Sequence, residues 1–129
     1  MDVASCRTVV VADDDPDYRY LVRFLLGSMA DSVTVVGEAG NGEEALALVL
    51  RRHPDIVVAD LLMPHLNGIE LTRRIKQERP ETKVILMTSY SEDVYRRLAL
   101  VGGADGFICK RELTTALPPG IRDALALAH

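Results

Sequence analysis

Cysteine is scarce in this sequence: Cys6 and Cys109 stand far apart and form neither a CxxC pair nor a zinc-ligand pattern. Both are expected as small buried hydrophobes. His53, His65 and His129 have no matching set of Cys or carboxylate ligands, so no transition-metal site is expected. Positive charge is also short. With a net charge of −4 and a pI of about 5.3, the chain lacks the clustered Lys and Arg that non-specific nucleic-acid binding needs. The pairs Arg51-Arg52, Arg73-Arg74 and Arg96-Arg97 read as solvated helix faces. No apolar run approaches the roughly 20 residues of a bilayer span, and Met1-Asp2-Val3-Ala4 is not a basic, hydrophobic signal sequence. A cytoplasmic protein without membrane contact is expected. What remains is 129 residues, 48% hydrophobic and 26% charged, the size and composition of one soluble domain over residues 1–129.

Five short apolar runs rich in β-branched residues punctuate the chain: Thr8 to Ala12, Val33 to Val36, Ile56 to Ala59, Val84 to Met87 and Gly106 to Cys109. A helix-like stretch follows each. After the first, Tyr18, Leu21, Val22, Leu25, Leu26 and Met29 recur at helical spacing, with Pro16 placed to open the helix. Asn41-Gly42-Glu43-Glu44 reads as a turn leading into an acidic first helical turn, favourable at that end of the dipole. Gly68, Leu71, Thr72 and Ile75 form the third stripe; Val94, Tyr95, Leu98 and Val101 the fourth; Ile121, Ala124, Leu125 and Ala128 the fifth. Strands alternating with helices imply right-handed βαβ crossovers and a parallel sheet covered on both faces. Runs such as Val9-Val10-Val11 and Ile56-Val57-Val58 are apolar on both sides, as such a sheet requires. The expectation is an α/β domain, a (βα)5 doubly wound three-layer sandwich. Periodicity does not fix its strand order.

In open parallel sheets, ligands bind beyond the carboxyl ends of the strands. Here those ends carry Asp13-Asp14-Asp15, Asp60, Thr88-Ser89 and Lys110. Carboxylates brought this close raise each other's pKa or demand a cation or a lysine partner. All-oxygen ligation favours Mg²⁺, with Mn²⁺ as the substitute, because magnesium takes about six oxygens and keeps waters that substrate oxygens replace. Bland readings stand beside these. An Asp triplet also starts loops, Asp60 could cap the next helix, and a lysine at a strand end commonly snorkels. Asp60 resists its bland reading, since it ends an apolar strand, Met63-Pro64 intervenes, and Asn67 is the better cap.

Together these residues resemble the response regulator receiver family of two-component signalling, over nearly the whole chain. Val9 to Asp14 matches its acidic pair, and Asp55 to Gly68 (DIVVADLLMPHLNG) its phosphoacceptor segment. Val84 to Ser89 matches its threonine strand, and Gly103 to Lys110 the strand carrying its lysine. The resemblance implies a five-stranded sheet in the order 2-1-3-4-5, as in other flavodoxin-like folds. It implies that Asp60 attacks a phosphohistidine of a sensor histidine kinase or phosphotransfer protein to form an acyl phosphate. Asp13, Asp14, Asp60 and the backbone carbonyl of Leu62 would hold Mg²⁺, with Asp14 the direct ligand and Asp13 acting through water. Lys110 would pair with the acidic cluster and then with the phosphoryl group, and Thr88 would hydrogen-bond a phosphoryl oxygen. Thr88 and Phe107 would be the switch, with Phe107 following inward and biasing the face made by helix four, strand five and helix five. An output domain or partner would read that face, and a homodimer is expected on phosphorylation.

The sequence departs from the family pattern in places. Phe107 replaces a common tyrosine, and Arg111 follows Lys110 where many receivers have proline, as happens in receivers attached to DNA-binding domains. Pro118-Pro119 lack amide donors and push Leu117 out of helical geometry, so helix five is expected near 118–128. Leu62 and Tyr90, beside Asp60 and Thr88, are expected to screen water from an acyl phosphate. Three rival readings stand beside this one. A receiver-like interaction module that is never phosphorylated keeps the fold alone. An aspartate-nucleophile phosphatase usually carries a second Asp where Leu62 stands. A flavin phosphate would be repelled by Asp13-Asp14-Asp15. No helix-turn-helix or catalytic segment follows the fifth helix, so the chain is expected to act alone or to be a piece of a longer regulator.

Overall fold

A computed structural model describes residues 6–90 and 93–127. Met1 to Ala4, Ala128 and His129 lie outside the described residues. The strands are β1 (Arg7–Ala12), β2 (Val33–Ala39), β3 (Ile56–Asp60), β4 (Lys83–Thr88) and β5 (Gly106–Cys109). They alternate with α1 (Pro16–Gly27), α2 (Gly42–Arg52), α3 (Gly68–Glu78), α4 (Asp93–Val101) and α5 (Leu113–Ala124), the last preceded by a 3₁₀ turn over Lys110–Glu112. All pairings are parallel and the order is β2-β1-β3-β4-β5. The chain reverses direction across the sheet between β1 and β3, which opens a crevice beyond their carboxyl ends.

Strand residues alternate between two apolar clusters, one on each face. Val10, Ala12, Val57 and Leu86 face α2, α3 and α4, while Val9, Val11, Val58 and Met87 face α1 and α5. Both faces are dry, which is why the strands read as unbroken apolar runs. The second strand outruns its apolar segment, continuing through Gly37-Glu38 to Ala39 with a register shift opposite Val9 and Val10.

Local start signals work as expected at three helices. Pro16 occupies the first turn of α1 with Asp15 as N-cap, while Asn41 and Asn67 cap α2 and α3. Each Asn side chain accepts the amide of the residue three positions on, Glu44 and Glu70 respectively.

Two helices differ from their sequence reading. α5 starts at Leu113 and runs through Pro118 and Pro119 instead of beginning near Pro118. Leu113, Leu117 and Ile121 share one face and are at most 1% exposed. Burying three such side chains, at about 1.5–3 kcal/mol each, outweighs the amide bonds the prolines forgo. The carbonyls left without amide partners belong to Thr114 and Thr115, which are exposed and open to water. In α4 the expected stripe is mostly on the outside. Tyr95 packs on the core and Ala99 is buried, but Val94, Leu98 and Val101 are exposed. Cys109 is buried as expected; Cys6 is half-buried, with its Sγ 3.0 Å from Thr34 Oγ1.

Candidate functional site

The carboxyl ends of β1, β3 and β5 bring Asp13, Asp14, Asp60 and Lys110 together, far apart as they are in the chain. Asp13 is fully buried and Asp60 is 7% exposed, whereas Asp14 faces solvent. One carboxylate oxygen from each of the three lies within 4.8 Å of the others. Lys110, itself buried, lies with Nζ 2.7 Å from Asp13 Oδ2 and donates to Asp60 Oδ2 at 3.2 Å.

Backbone contacts fix these side chains. Asp15 N donates to Asp13 Oδ1 at 2.9 Å, and Arg19 Nη1 donates to the Asp13 carbonyl. Leu62 N reaches Asp60 Oδ1 at 3.4 Å. The loop after Asp60 is tied by Leu61 N to Met87 O and by Gly68 N to Leu61 O, each 2.7 Å. Gly68 allows that closure, because a Cβ there would lie 2.6 Å from Asp60 O.

Burial raises the Asp13 carboxyl pKa above its ordinary value, more than Lys110 lowers it. Burial also raises Asp60, and the negative charge of Asp13 adds to the effect. Burial opposes the Lys110 ammonium, but hydrogen bonding to Asp13 and attraction to Asp60 outweigh it and carry its pKa upward. Two carboxyls under strain from burial and one strong lysine are the signature of a site built to receive compensating charge. Asp13 Oδ2 is buried and lies 2.7 Å from the Lys110 ammonium. The carboxylates of Asp13, Asp14 and Asp60 together make an all-oxygen donor set that fits a hard divalent cation.

Thr88, 1% exposed, ends β4 next to β5, and its Oγ1 accepts the Tyr90 amide at 3.1 Å. Phe107 is already buried, in the core cluster of β4 and α4, with the Arg96 guanidinium carbon 5.1 Å from its ring centroid. Leu62 and Tyr90 are half-exposed beside the site, with the Tyr90 ring against Tyr95 at 5.6 Å. Sequence reasoning missed Tyr18, Arg19 and Arg96 as neighbours of functional groups. Tyr18 was legible only as part of the α1 stripe, and Arg96 only as a solvated basic residue.

The fold and the acidic edge define a class. The family model of the response regulator receiver domain matches residues 9–119, and the chain belongs to that family. Among individual relatives, the response regulator protein VraR of Staphylococcus aureus is 36% identical over 116 residues, covering 88% of this chain and 54% of that protein. The signal receiver domain of NarL from Mycobacterium tuberculosis superposes with a TM-score of 0.88 at 33% identity, covering 95% of this chain and 98% of that one. A two-component response regulator of the LuxR family from Aurantimonas sp. SI85-9A1 gives a TM-score of 0.88 at 32% identity, covering 95% of this chain and 86% of that one. The chain spans about half the length of the curated relatives it matches. No helix among the described residues is long and apolar enough to cross a membrane.

Proposed function

We propose that this chain is a phosphorylation-controlled switch whose acceptor is Asp60, charged by the phosphohistidine of a sensor kinase or phosphotransfer protein. The observation that carries this reading is the convergence of Asp13, Asp14, Asp60 and Lys110 on one strand-end crevice, with Lys110 bridging the two buried carboxylates. In the transfer, an Asp60 oxygen forms the new O–P bond as the donor's P–N bond breaks, and the electron pair leaves on the imidazole nitrogen. Asp13, Asp14, Asp60 and the Leu62 carbonyl would hold Mg²⁺. When bound, such a cation neutralises charge on the phosphoryl oxygens. Lys110 keeps its proton and pairs with the new dianion, and the Thr88 hydroxyl donates to a phosphoryl oxygen.

Such chemistry is self-modification at one site rather than turnover of a substrate. Leu62 and Tyr90 flank the acyl phosphate and limit attack by water. The readout passes through Thr88 and Phe107 to the face of α4, β5 and α5, where Val94, Leu98, Leu100 and Val101 are exposed. A LuxR-family regulator among the structural relatives supports transcription as the output, carried by a segment beyond this domain. Residues 1–129 are then a single domain, working in the cytoplasm, and dimerising on phosphorylation.

Intact-mass measurement after incubation with acetyl phosphate and Mg²⁺ tests the reading. One phosphoryl group is expected on the wild type and none on Asp60→Asn or after chelation of the metal. An unphosphorylated wild type would sink the proposal and favour a pure interaction module. An acyl phosphate as short-lived as a free model compound would remove the screening role of Leu62 and Tyr90.

A further inference from the structure

The Lys110 ammonium has three N–H bonds and three distinct neighbours. Two are the carboxylates of Asp13, at 2.7 Å, and Asp60, at 3.2 Å. The third is the ring of Tyr18, whose centroid lies 3.9 Å from Nζ, well inside cation–π range. We propose that Tyr18 is a positioning residue that holds the Lys110 ammonium between Asp13 and Asp60, ready to pair with a phosphoryl group arriving on Asp60.

The inference rests on the reading of Asp60 as phosphoacceptor and adds to it a residue outside the acidic, hydroxyl and lysine set. The backbone of Tyr18 is anchored in the same turn that holds the Asp13 carboxylate. Asp15 accepts the Asp17 amide through Oδ1 at 2.9 Å and the Tyr18 amide through its carbonyl at 3.1 Å, while its own amide binds Asp13. Tyr18 therefore comes to Lys110 in a set geometry relative to Asp13. A π-face also suits the task electrostatically. It attracts the ammonium without adding an anion that would repel the incoming dianion, and it takes up a direction from which water would otherwise solvate the ammonium.

The test uses the full chain with acetyl phosphate and Mg²⁺, following the rate of Asp60 phosphorylation by intact mass. Tyr18→Phe keeps the π-face and should stay within about twofold of wild type, whereas Tyr18→Leu should slow the reaction on the order of tenfold. Phenylalanine analogues with increasing ring fluorination at position 18 preserve shape while draining the π-face, so the rate should fall stepwise along the series. Loss of packing alone would leave that series flat. In the unphosphorylated protein, the Lys110 ε-methylene protons should be shifted upfield by the ring in wild type and Tyr18→Phe, and lose that shift in Tyr18→Leu. A Tyr18→Leu rate equal to wild type, or a flat fluorine series, overturns the proposal while leaving Asp60 as acceptor. A wild type that takes no phosphoryl group overturns the acceptor reading and this inference with it.

Discussion

Arg96 stacks over Phe107, its guanidinium carbon 5.1 Å from the ring centroid, so that an exposed cation on α4 closes the lid on the buried aromatic of β5. The pair joins the two elements that the proposed output face needs to move together. Arg96→Ala is expected to cost about 0.5–1 kcal/mol and Phe107→Ala about 3 kcal/mol. A double-mutant cycle in urea should give a coupling of roughly 0.5 kcal/mol or more. Strict additivity would mean that the stacking contributes nothing.

The buried carboxyls make stability depend on pH in a defined direction. Asp13 and Asp60 have folded-state pKa values above their ordinary 3.8, Asp13 through burial and Asp60 through burial and then Asp13. Each binds its proton more tightly folded than unfolded, so its contribution falls as pH rises from about 3.8 through the folded value. Lys110 acts outside that window: its stabilisation is fully present below 10.5 and is lost as pH rises through its raised folded value. Metal-free Asp60→Asn should therefore gain on wild type in the unfolding free energy measured in urea as pH rises, by about 1.4 kcal/mol per unit by which the folded pKa is raised. Saturating Mg²⁺ should stabilise wild type and narrow that gap. A gap that shrinks with pH without metal would refute the argument.

Gly68 is required by close approach of backbone to backbone. A Cβ would meet Asp60 O at 2.6 Å and Leu61 Cα at 2.8 Å, atoms that cannot swing aside as a flexible side chain can. Gly68→Ala is expected to cost about 1–3 kcal/mol and to displace Asp60 from Lys110. Thermal unfolding and the Asp60 phosphorylation rate would both report the change. An unchanged Tm and rate would show that the loop yields freely.

Helix α5 carries Pro118 and Pro119 in its second turn, where each removes an amide donor. Pro118→Ala restores a bond to the Thr114 carbonyl and should stabilise the domain by about 1–3 kcal/mol. Leu117→Ala, which empties a fully buried site, should destabilise by about 2–5 kcal/mol. Opposite signs at adjacent residues, read from urea unfolding, would confirm that side-chain burial and not backbone preference holds this helix.

Much of the fold was written in local sequence. The apolar runs, Pro16 and the caps Asn41 and Asn67 are short-range signals, and the strand-end residues Asp13, Asp60, Thr88 and Lys110 stand out because polar groups rarely close apolar strands. Their grouping at one edge follows from the parallel topology that strand–helix alternation imposes. Tertiary structure alone decided the rest. α5 obeys the burial of Leu113, Leu117 and Ile121 over its prolines, and α4 turns Tyr95 and Ala99 inward while Val94, Leu98 and Val101 stay out. The rings of Tyr18 and Phe107 find Lys110 and Arg96 across the fold. Such choices depend on which surfaces meet once the sheet is covered, and spacing along a chain carries no record of contacts between residues that only packing makes neighbours.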